Sequence, residues 1–188
     1  MKPERCCAIM APMPELKELQ YPIGRFVPPA HIGAAEREAA IAVLAGFPQQ
    51  LARALDGLGD LQLDTPYRPG GWTIRQLVHH VADSHLNAYA RMRLALTEDW
   101  PTVFAYDETA WAKLADAQLP PAVSVKLLES IHLRWVTTLQ ALVATDWTRG
   151  YLHPANGRQQ LDTVLATYAW HAQHHLAHIV NCRKREAW

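Results

Sequence analysis

Tyr168-Ala169-Trp170-His171-Ala172-Gln173-His174-His175-Leu176-Ala177-His178 gathers four of the chain's ten histidines into one stretch without proline or glycine. The apolar positions Leu161, Val164, Leu165, Tyr168, Ala172 and Ile179 recur at three and four, the spacing of a helix with one buried face. The stretch therefore belongs to a long last helix over residues 161–185. Asp162 stands near its start, where a carboxylate suits the helix dipole. At about 100° per residue, His175 falls within about 20° of the apolar direction and His171 within about 60°. His178 lies near the edge of that face, and His174 points toward solvent. His171 and His175 are four apart, so one stands above the other.

Three further helices can be read upstream. Ala40, Val43, Leu44, Phe47, Leu51, Ala54 and Leu55 give an apolar face over residues 34–55, with Pro48 expected to kink or break it. Thr73 and Gln76 have the spacing of a capping box, opening a helix that runs to Thr97. Its inward face carries Ile74, Leu77, Val78, Val81, His85, Ala88 and Met92. Leu127, Leu128, Ile131, Trp135, Leu139 and Leu142 mark a helix over residues 123–143. The long connection Asp99–Pro121 is expected to hold a short helix near residues 108–114 and to cross the bundle. No strand is expected, including in the loop Asp146–Gln160. The fold class is all-α, a four-helix bundle with long connections. Residues 1–20, with Pro3, Pro12 and Pro14, read as an extended or disordered arm, and Tyr21 to Phe26 as a strap laid across a single domain over residues 21–188.

Composition narrows the function classes. Lys+Arg and Asp+Glu are both 18, so the chain lacks the basic excess of a nucleic-acid binder. No apolar run approaches the ~20 residues of a membrane span, and no signal-peptide core is present, so a cytoplasmic location is expected. Cys6, Cys7 and Cys182 are an odd set with an adjacent pair, which is no disulfide framework.

The histidines carry the chemistry. His79, His80 and His85 form a second cluster on the Thr73–Thr97 helix. The inward His171/His175 pair can hold one cation, in the manner of a zinc helix but with Ala172 where a metalloprotease has its glutamate. Catalytic zinc and nickel sites often use three protein ligands and leave a position open. Periodicity makes His85 the most buried of the upstream cluster, His80 a flank residue and His79 the furthest out. Tyr106, Asp107, Glu108, Trp111, Arg68 and His153, in the connections, are candidates for contact with a substrate. Arg91 and Arg93 are candidates to attract an anion. Cys182, four residues after His178, reads as packing.

Gly71-Trp72-Thr73-Ile74-Arg75-Gln76-Leu77-Val78-His79-His80-Val81-Ala82-Asp83-Ser84-His85, with Tyr21-Pro22-Ile23-Gly24 and the His171/His175 pair, resembles the DinB superfamily, and within it the YfiT-like branch. The resemblance runs from about Tyr21 to Lys184. It implies a four-helix bundle with a three-histidine site for a divalent ion, zinc or nickel. Carried over by position, the ligands are His80, His171 and His175, with a one-residue ambiguity between His79 and His80, and His85 stands behind them. The branch implies transfer of a low-molecular-weight thiol, bacillithiol-like, onto an electrophilic substrate. Hydrolysis by a metal-held water is the alternative, and a non-catalytic metal or stress-response binding module is a third. A homodimer, formed through the strap and the first helix, is a further expectation.

Overall fold

A computed structural model of the chain describes residues 16–188. The expected arm falls outside these residues as far as position 15, and its end differs from the expectation. Leu16–Gln20 is a short helix, α1. Leu, Lys, Glu and Gln are all good helix formers, and Pro22 follows at once to stop them.

α2 spans Ala34–Leu55 and is not broken at Pro48. A proline in mid-helix leaves the carbonyl four residues back without its N–H partner. That carbonyl is Leu44's, and the imidazole of His132 takes the missing place at 2.6 Å. A short helix, α3 (Asp60–Leu63), precedes the turn into α4 (Ile74–Thr97). The capping box at the start of α4 forms as read. The Gln76 N–H donates to Thr73 Oγ1 at 3.1 Å, and Thr73 N–H donates to Gln76 Oε1 at 3.1 Å. α5 is the short helix Glu108–Trp111, and α6 spans Ala122–Gln140.

One hairpin overturns the expectation of no strands. β1 (Gly150–His153) pairs antiparallel with β2 (Gly157–Gln160). These strands are only four residues long and are poor in β-branched residues, so they show no alternation. Asn156-Gly157, with Gly157 at φ +68°, supplies the tight return that was the available signal. α7 then runs over Leu161–Glu186.

α2 packs on α6 and α7, and α4 also packs on α6 and α7. The α2–α4 and α6–α7 pairs have little or no direct contact. The order round the bundle is therefore α2, α6, α4, α7. The long connection from α4 to α6 joins neighbours, contrary to the expected crossing. The connections before α4 and after α6 are the ones that span the diagonal. Leu44, Phe47, Leu51, Ile74, Leu77, Leu128, Trp135, Leu165 and Ile179 fill the middle. Among the described residues no helix is long and apolar enough to cross a membrane.

Candidate metal centre

α4 and α7 bring His80, His171 and His175 together, one ring nitrogen of each lying within 4.8 Å of the others. His80 and His175 are buried, and His171 is half-buried. Burial pushes His80 down to about 4 and holds His171 and His175 well below the ordinary histidine range. All three rings are thus neutral near pH 7, the form that ligates an ion. The Nε2 atoms of His171 and His175 are 3.1 Å apart. Nitrogens round a four-coordinate ion with ~2.0–2.1 Å bonds lie about 3.3 Å apart. The donor set and its spacing therefore fit a divalent transition-metal ion.

Behind His171 a line of hydrogen bonds runs through all four bundle helices. His171 Nδ1 is 3.1 Å from His85 Nε2, His85 Nδ1 is 2.8 Å from His132 Nε2, and His132 Nδ1 is 2.6 Å from the Leu44 carbonyl. A carbonyl only accepts, so His132 Nδ1 carries the proton. Burial holds His132 at about 4 and His85 well below the usual range, so both are neutral. A neutral ring with a protonated Nδ1 has a bare Nε2. His85 therefore donates from Nδ1 to His132, and His171 donates from Nδ1 to His85. The consequence falls on His171, whose Nε2 lone pair faces the cavity.

The cavity, of about 620 Å³, is walled by α7, by His80 and Trp72, and by the loop that carries Tyr67 and Arg68. Glu108 and Thr109 of α5, Gln20 at the end of α1 and Tyr21 of the strap close it. Gly71 lets that loop fold tightly, since a Cβ there would meet Arg68 Cγ at 2.8 Å. Trp72 packs on His80 with ring centres 4.5 Å apart. Glu108's carboxyl is held above the usual carboxylate range by partial burial and by Asp107.

The other candidates divide. His79 is buried rather than outermost, 2.7 Å from Ser124 Oγ and 2.9 Å from the Leu119 carbonyl, so its ring is engaged away from His171 and His175. His85 is fully buried, as its periodicity required. His174 and His178 are buried, against the expectation of a solvent-facing and a marginal residue. Tyr21 lies over His174 and Tyr67 over His178, which gives this part of α7 a second covered face. Arg68 and Glu108 reach the cavity, whereas Asp107 caps α5 and Tyr106 stacks on Trp111 at 4.3 Å. His153 stays at the hairpin and accepts the Ala155 N–H. Arg91 is buried and donates to the Phe104 carbonyl at 2.6 Å, while Arg93 is exposed. Cys182 is fully buried packing. His132 and Tyr67 are additions to the set. For His132 the available sign was Pro48, whose missing N–H calls for another donor.

Comparison with known proteins bears on this arrangement. The profile of the DinB superfamily matches residues 44–179. A protein of Bacillus pumilus, named by inference as a metal-dependent hydrolase, is 49% identical over 92% of this chain and 99% of its own length. A Bacillus mycoides protein of the same name is 46% identical over 92% of this chain and 100% of its own. The solved structure of YfiT from Bacillus subtilis, described as a metal-dependent hydrolase by inference and as having an unusual four-helix bundle topology, superposes with a TM-score of 0.88. It is 43% identical and covers 91% of this chain and 99% of YfiT.

Proposed function

The chain belongs to the DinB superfamily, and on that footing we propose that it is a metal-dependent thiol S-transferase, joining a low-molecular-weight thiol of the bacillithiol kind to an electrophile. The observation that carries this reading is the composition of the cavity wall. Three neutral imidazoles converge there, and among the described residues no cysteine or serine lines it. On this reading the nucleophile comes from solution, as one of the two substrates. A zinc or nickel ion held by His80, His171 and His175 would supply a Lewis acid that acidifies a bound thiol or water near neutral pH.

The chain's own groups suit a two-substrate reaction. A volume of about 620 Å³ exceeds what a water needs and admits a thiol beside a second molecule. The Arg68 guanidinium on the wall favours a thiol that carries carboxylates. Tyr21, Tyr67, Trp72 and Trp170 offer flat apolar faces to the electrophile. Glu108, with its raised carboxyl, can hold the proton that the thiol gives up.

Hydrolysis is the second reading, favoured by the names of the relatives and by the same Glu108. The test is conjugation of a thiol to a bromobimane electrophile by untagged protein loaded with zinc or nickel. Rates that rise with thiol concentration and fall at least 100-fold in His171→Ala/His175→Ala are expected. Ester or amide turnover without thiol dependence would replace the transferase by the hydrolase. Neither activity at full metal loading would leave a binding module.

A further inference from the structure

The first triad uses only half of the α7 histidines. His171-Ala172-Gln173-His174-His175-Leu176-Ala177-His178 contains two interleaved pairs four residues apart, His171/His175 and His174/His178. Their geometry repeats. Both pairs hold their Nε2 atoms 3.1 Å apart. His174, His175 and His178 each offer one nitrogen within 4.8 Å of the others. The rings are held in place, since His174 stacks on Trp170 at 4.5 Å and His178 packs on Tyr67 at 4.2 Å. All three residues line the cavity.

A hydrogen bond between His174 and His178 does not complete this group. His174 is 8% exposed, and its Nδ1 is buried without a hydrogen-bond partner, as is that of His175. Whichever nitrogen of His174 carries the proton, Nδ1 remains an unmet donor or an unmet acceptor.

We propose that His174, His175 and His178 form a second site for a divalent transition-metal ion, sharing His175 with the His80–His171–His175 triad. Three imidazoles without a carboxylate select zinc, cobalt, nickel or copper over magnesium or calcium. Sharing is possible because an imidazole has two nitrogens; when both ligate, the ring N–H proton passes to solvent. That demand, and the guanidinium of Arg68 beside His178, make this the weaker of the two sites.

The site stands on the chain's own residues and survives if the transferase reading fails. The experiment is titration of the untagged, metal-stripped full chain with Co(II), followed by calorimetry and visible absorption. Two equivalents are expected, the second at least tenfold weaker. His174→Gln/His178→Gln should take up one, and His80→Gln/His171→Gln should also keep one. Arg68→Gln should tighten the second equivalent several-fold and leave the first unchanged. A single equivalent at saturating Co(II) in the unmodified chain overturns the proposal, as does a second equivalent that persists in His174→Gln/His178→Gln. If that variant does not fold, as judged by circular dichroism, His80→Gln/His171→Gln decides: one equivalent supports the second site, and none overturns it.

Discussion

His132 is remote from the cavity wall and acts on it through two hydrogen bonds. Its ring takes the Leu44 carbonyl on one side and meets His85 on the other. His132→Leu would leave both partners buried and unpaired, at about 1–3 kcal/mol each. It would also release the proton position of His85 and so of His171. Outer-shell changes of this kind typically cost 10–100-fold in metal affinity. His132→Gln, which offers both a donor and an acceptor, should lose much less. Competition against a chromogenic chelator measures this, and equal affinity in His132→Leu and the unmodified chain would remove the relay from the account. At this scale the sequence was informative where spacing repeats. His171 and His175 announce themselves as a pair, whereas periodicity pointed to His85 on the upstream helix and His80 came only from the family resemblance. His132 sits alone among Ser130, Ile131 and Leu133 with nothing periodic to single it out.

At the scale of the element, α2 shows what a proline can do inside a helix. The helix continues through Pro48 because the carbonyl it orphans is satisfied from α6. Pro48→Ala restores an N–H that competes with His132 for Leu44. Helix propensity should hold or raise the melting temperature, since proline is ~3 kcal/mol worse than alanine in a helix interior. Metal affinity should fall roughly tenfold, within the range for outer-shell changes. Circular dichroism melts beside the same chelator competition test this, and unchanged affinity would show that the carbonyl does not set the relay. The helices themselves were legible: the Ala34–Leu55 span and the Thr73 cap stand where the periodicity and the box put them. Side-chain direction was less so. A helical wheel assumes one buried face, and α7 has two, one on the core and one under Tyr21 and Tyr67. His174 falls under the first of these rings and His178 under the second. His79 is misjudged on α4 for the same reason, because Ser124 and the Leu119 carbonyl cover it.

For the whole molecule, the buried neutral histidines tie stability to pH. His132 is held at about 4 against an ordinary 6.5. Below pH 6.5 the unfolded chain takes up a proton there that the folded chain refuses down to about pH 4. Stability is therefore full above that window and falls as pH drops through it, by at most about 1.4 kcal/mol per pH unit for each such group. Metal-free protein should melt progressively lower from pH 6.5 to pH 4, and His132→Gln should flatten the slope. A melting temperature independent of pH across this window would contradict the burial of these rings as neutral species. The order α2, α6, α4, α7 could not be read from the chain, because each helix shows an apolar face but not which neighbour covers it.

The relay has a consequence for the time course of assembly. Its contacts join residues 88, 47 and 86 positions apart. Such distant pairings close late in folding, after local helices have formed. His171 and His175 also lie in α7, which leaves the ribosome after α2, α4 and α6. A growing chain can display α2, α4 and α6 and still have no place for an ion. Capture of the metal then waits on the completed bundle, and the ion, once bound, draws the population toward finished molecules. Metal content becomes a record of how many copies have completed folding.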